Sequence, residues 1–115
     1  MQQHTKSLTT YITRLEQMIT DIELFMKDTP SFEIFENDKK TLNAVITSLT
    51  QIGEICGKIS KLYPDTLQLP YSEIVGMRTI LVHMYHKIEA KSIWDTINIK
   101  IPELKKLIKQ HNTKI

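Results

Sequence analysis

The chain is 115 residues long, 41% hydrophobic and 24% charged, with a net charge of +2 and one cysteine. That length suits one domain, residues 1–115, which buries about two thirds of its unfolded surface and so needs neither a disulfide nor a structural metal to fold. The balance excludes an intrachain disulfide framework, an apolar run of about 20 residues able to span a bilayer, and any argument for nucleic acid from bulk charge alone.

In chain order, Leu8, Tyr11, Ile12, Leu15, Met18, Ile19, Ile22, Phe25 and Met26 recur at spacings of three and four. They predict one amphipathic helix over residues 4–27. Asp28-Thr29-Pro30 ends it, because proline cannot continue the hydrogen-bond ladder and restricts the residue before it. A second stripe, Leu42, Val45, Ile46, Leu49, Ile52, Cys56 and Ile59, predicts another long helix, with Asn37 or Asp38 as N-cap and Tyr63-Pro64 as its end. Gly53 lies within that stripe, where glycine costs up to about 1 kcal/mol relative to alanine; a neighbouring helix is expected to press closely there. Residues 63–69 read as a loop, and Pro70 fits the first turn of a third helix running to about Tyr85. A fourth helix starts near Glu89 with Ile93, Trp94 and Ile97 inward. Pro102 opens or kinks a last one carrying Leu104, Leu107 and Ile108. No alternating strand pattern or internal repeat appears. The expected fold is an all-α bundle of about five helices, two long antiparallel ones with shorter ones packed against them.

The stretch GMRTILVHMY, residues 76–85, places Arg78, Thr79, His83 and Tyr85 on an otherwise apolar helix. At about 100° per residue, Tyr85 falls about 20° from Arg78, whereas His83 falls about 140° away and stacks near Thr79. Either the helix loosens near His83, or a second copy crosses it at a two-fold axis so that both chains supply one cleft; the symmetric dimer is the simpler solution. Arginine is a permanent cation whose fork of donors matches phosphate oxygens, and histidine exchanges protons near neutrality. Such a pair suffices for RNA cleavage in which the ribose 2′-OH attacks its own phosphate, with His83 relaying a proton and Arg78 stabilising the phosphorane. The spacing itself is common. The competing interpretation pairs Arg78 with a nearby glutamate and satisfies His83 and Tyr85 in the core or at an interface.

These residues resemble the HepT-like members of the HEPN superfamily, small helical toxins paired with a minimal nucleotidyltransferase antitoxin. The family pattern is an arginine, four residues, a histidine, one residue and a tyrosine, usually preceded by Gly-Met; here it reads Gly76, Met77, Arg78, His83, Tyr85. IGEICGKIS at 52–60, YPDTLQLPYSEIVGMR at 63–78 and IWDTINIKIPELKKLI at 93–108 are similar to family segments in the same order. The resemblance implies a HEPN-like helical homodimer, or a higher assembly, with the motif at its cleft. It also implies metal-independent, cofactor-free cleavage of RNA such as tRNA. Neutralisation is by a nucleotidyltransferase that in some systems attaches AMP to the motif tyrosine. By position, Arg78 and His83 are the catalytic pair, Thr79 supports them and Tyr85 accepts the AMP. Thr79 stands where the family usually has asparagine, keeping a hydroxyl but losing the amide's second contact. His86-Lys87-Ile88 follows the tyrosine where the family often has glycine. The alternative implied is a non-catalytic HEPN module that binds its nucleotidyltransferase or a nucleotide.

Elsewhere, the lone Cys56 predicts a reducing compartment, the cytoplasm, and a buried inert thiol. The opening MQQHTKSLTTY has no apolar core of an export signal, and no membrane contact is expected. His83 and His86 are three apart but find no third ligand, so no metal site is expected. Trp94 reads as a core or interface anchor. Lys100, Lys105, Lys106 and Lys109 form a solvated face that can also touch an RNA backbone. Glu54 falls off the apolar stripe, facing solvent, a partner or Arg78.

Overall fold

A computed structural model of the chain describes residues 7–65 and 89–113. Every regular element among them is helical: α1 (Leu8–Met26), α2 (Phe32–Glu36), α3 (Lys39–Leu62), α4 (Ala90–Asp95) and α5 (Ile101–Thr113), the last two joined by a π-helical turn over Thr96–Lys100. The expected helix over 70–85 lies outside the described residues.

Ser7 caps α1, its Oγ accepting the Thr10 N–H at 3.1 Å. The buried residues Tyr11, Ile12, Leu15, Ile19 and Ile22 form the expected stripe. Phe25 is 38% exposed, because its position falls at the outer edge of the arc that those residues define. Twelve residues connect α1 to α3, and within them α2 forms where no helix was predicted. Ser31 caps it, with its Oγ accepting the Ile34 N–H at 3.3 Å. Five residues are far too few for a stable isolated helix. What holds α2 is Phe35, which is completely buried and lies 5.5 Å from the Trp94 ring, while Phe32 meets the same ring edge-on at 6.0 Å.

Of the two candidate caps for α3, Asp38 serves: its carboxylate accepts the Thr41 N–H at 3.0 Å and the Thr41 hydroxyl at 2.6 Å. Asn37 instead donates back to the Glu33 carbonyl at 2.9 Å and closes α2. Helix α3 packs along α1, the most extensive contact between described elements. Its buried residues, from Ile55 and Ser48 round to Ile46 and Gly53, span roughly half its circumference, wider than the stripe of a helix with one neighbour. Gly53 is buried there. Leu15, Ile22, Val45, Leu49, Ile52, Ile59 and Leu104 are almost wholly removed from water, each contributing about 1.5–3 kcal/mol relative to an exposed position.

Pro102 lies in the first turn of α5, at the opening of the last helix as expected. The helix does not start afresh there: α4, the π-helical turn and α5 run on without a break as one rod of 24 residues, roughly 36 Å long. The Ile101 N–H bonds the Thr96 carbonyl five residues back. The buried residues Ile93, Ile97, Ile101, Leu104 and Ile108 run along it. Spaced four, four, three and four, they form one apolar stripe through the π-helical turn, as the buried residues of α1 do along a plain α-helix. The rod returns along α1 in the opposite direction: Lys105 pairs with Glu23 at 2.7 Å, and seven residues on Asn112 donates to Glu16, seven residues back, at 3.2 Å. Among the described residues no helix is long and apolar enough to cross a membrane.

Candidate functional site

Arg78, Thr79, His83, Tyr85 and His86 all lie outside the described residues, between Asp65, in the turn after α3, and Glu89 at the start of α4. The two helices that bracket them are well defined. Tyr63 ends α3, its N–H bonding the Ile59 carbonyl at 2.8 Å, and Glu89 opens α4 through its carbonyl, which accepts from Ser92 and Ile93. Trp94, one turn into α4, is the expected anchor: Phe32 and Phe35 enclose its ring, and the Lys91 ammonium lies 5.7 Å from the Phe32 centroid while also pairing with Asp95 at 3.1 Å.

Glu54 is exposed on the face of α3 opposite its buried arc. Cys56 is fully buried, and removal from water pushes its thiol up to about 12, so the expected inert thiol is what the fold contains. The Asp38 carboxyl is held below the usual range by the hydrogen bonds from the Thr41 hydroxyl and N–H, which stabilise its ionised form. No cluster of three or more His, Cys, Asp or Glu side chains suited to a metal occurs among the described residues.

The four lysines expected on one face are separated by the fold. Lys100 is half-buried on the π-helical turn. Lys105, Lys106 and Lys109 project from α5 into the lining of an open groove of about 600 Å³, whose other wall is the end of α1 with Glu23 and Lys27. Lys27 had no sequence signal: it is 78 positions from Lys105, and only the antiparallel return of the rod brings the two walls together. A smaller hollow of about 230 Å³ continues the same furrow toward Glu16 and Asn112.

Compared with known proteins, residues 9–111 match the family model described as "Ribonuclease HepT-like". The protein named "Putative RNase MJ0125" from Methanocaldococcus jannaschii is 40% identical over 90 residues, covering 75% of this chain and 74% of its own length. "Probable ribonuclease HepT" from Thermococcus cleftensis is 35% identical over 99 residues, covering 83% of this chain and 86% of its own. No solved structure matches the chain at a significant level. A model spanning almost the full length, the motif segment included, settles the family: this chain belongs to the HepT-like ribonucleases.

Proposed function

We propose that the chain is a metal-independent ribonuclease toxin, active as a homodimer and held in check by a nucleotidyltransferase antitoxin. The observation that carries this reading is the family match over residues 9–111, which includes the sequence Gly76-Met77-Arg78, His83 and Tyr85. In the reaction His83 accepts the proton of a ribose 2′-OH, and the freed oxygen attacks the adjacent phosphorus. The bond to the 5′-oxygen breaks, and that oxygen leaves with a proton returned by an imidazolium. Arg78 balances the extra negative charge of the pentacoordinate phosphorus, and Thr79, four positions before His83 in the sequence, offers a hydroxyl. DNA lacks the attacking hydroxyl and is not cut. Transfer of AMP from ATP to the Tyr85 oxygen, with release of pyrophosphate, would set a bulky anion beside Arg78 and close the phosphate site.

The second reading, a non-catalytic module that binds the nucleotidyltransferase or a nucleotide, is favoured by Thr79 in place of the usual asparagine. One experiment separates the two. Purified protein is incubated with total tRNA in the presence of EDTA, beside Arg78→Ala and His83→Ala. Cleavage by the parent alone supports the nuclease. RNA left whole at every dose of parent moves the assignment to the binding module. For the regulatory step, the intact mass of Tyr85→Phe after exposure to the nucleotidyltransferase and ATP should show no added AMP, and an addition equal to the parent's removes Tyr85 as acceptor.

A further inference from the structure

The groove between the end of α1 and the start of α5 has an aliphatic floor that includes Ile22, Met26, Ile97 and Ile101. Its rim carries four ammonium groups, Lys27, Lys105, Lys106 and Lys109, against the single carboxylate of Glu23. Glu23 is committed to Lys105 at 2.7 Å. Lys27, Lys106 and Lys109 have no ion-pair partner among the described residues. With a net charge of +2 for the whole chain, this one groove holds more positive charge than the molecule, and the rest of the sequence is on balance slightly acidic.

That concentration works against folding. Lys105 and Lys109 are an i,i+4 pair of like charges with Lys106 beside them, an arrangement that destabilises a helix, and Lys27 faces them across the groove. An anionic occupant flanked on both walls would relieve the repulsion. We infer that the groove is a track for the phosphodiester backbone of the RNA substrate, an inference that rests on the ribonuclease reading above and assigns binding contacts outside the Arg78–His83 motif. The side chains fit backbone contact better than base reading. Among the described residues no aromatic ring lines the groove to stack bases. The cations are lysines, which act as point charges on phosphate and lack the fork of arginine. Binding there should be indifferent to sequence and steeply dependent on salt.

The test uses the full chain and a fluorescent 2′-O-methyl RNA, which cannot supply the attacking hydroxyl. Affinity is followed by anisotropy from about 50 to 200 mM salt for the parent, for Lys106→Gln/Lys109→Gln, and for Lys39→Gln/Lys40→Gln as a control of equal charge change at the exposed start of α3. Circular dichroism first establishes that all three fold. The groove variant should bind every sequence more weakly by the same factor. The slope of log affinity against log salt should shrink by about 1.4, two phosphate contacts at about 0.7 each for a single strand. On cleavable RNA its KM should rise with kcat unchanged, the mark of binding lost equally from ground and transition states. The control should keep the parent's slope.

If the parent binds and cuts RNA while the groove variant keeps the full slope, the track is wrong and the nuclease stands. If the slope falls as expected but nothing is cut, the track stands as an RNA-binding surface and the nuclease reading fails. If the parent binds no RNA, or if the variant keeps its RNA affinity and instead loses its dimer or its nucleotidyltransferase complex, the groove is a protein interface and the proposal is overturned.

Discussion

Helix α2 should be fastened to the core chiefly through Phe35, and Phe35→Ala measures that dependence. Phe35 is fully buried and its ring centre lies 5.5 Å from that of Trp94. Truncating a buried phenylalanine costs about 3–5 kcal/mol, because the surrounding side chains only partly close the space. At about 2.1 cal/mol/K of unfolding entropy per residue, a chain of 115 residues loses roughly 4 °C of Tm per kcal/mol, so Tm should fall by about 12–20 °C. Ile34→Ala, one residue away and 47% exposed, should stay within about 0.5 kcal/mol. A double-mutant cycle with Trp94→Ala isolates the ring pair, for which about 0.5–1.5 kcal/mol of coupling is expected beyond area burial. The assay is urea unfolding by circular dichroism at one fixed protein concentration, since any subunit association adds to apparent stability. A cost below about 1.5 kcal/mol for Phe35→Ala, or equal costs for Phe35→Ala and Ile34→Ala, would refute the claim that α2 is fastened through this side chain.

Three further outcomes follow from other local arrangements. Asp38 has its carboxyl lowered by Thr41, so its contribution to stability is present above the ordinary aspartate range and is lost as pH falls through the lowered value; Asp38→Asn should therefore flatten the acid limb of the stability profile, and an unchanged limb would contradict the capping role. Cys56, pushed up to about 12 by burial, should resist iodoacetamide at pH 8 in the native protein and react fully in denaturant; rapid native labelling would show the thiol accessible. Pro102→Ala restores a missing N–H at an exposed position inside the rod and should raise stability by about 1–3 kcal/mol, whereas a loss in urea unfolding would mean that the proline itself sets the π-helical turn.

The parts of the fold legible in the sequence are those in which one physical signal repeats. Helices α1 and α3 each carry an apolar residue every three or four positions for five turns or more, so their burial pattern could be read directly, with Phe25 misjudged only because it sits at the edge of the arc. Helix α2 was invisible for the opposite reason: five residues contain little more than one turn, and the side chain that fixes them meets its partner Trp94 across 59 positions of sequence. The motif Arg78, His83 and Tyr85 lies outside the described residues, and in the sequence only its resemblance to a family points to it, because spacing by itself sets Arg78 and His83 about 140° apart on a helix. The π-helical turn was not readable. Ile93, Ile97, Ile101, Leu104 and Ile108 are spaced four, four, three and four, the same steps as Tyr11, Leu15, Ile19, Ile22 and Met26 in the plain helix α1, so the apolar pattern carries no sign of the extra residue.

Core anchoring governs the basic groove. The direction in which Lys105 and Lys109 leave the helix is set by Leu104 and Ile108, which are buried one position before each of them. At about 100° from those buried positions, the two lysines meet α1 beside Glu23 and Lys27. A sequence reader sees four lysines near the end of the chain. The groove takes its charge from three of them, Lys105, Lys106 and Lys109, and from Lys27, which no local pattern connects to them, so the groove is a property of tertiary structure alone.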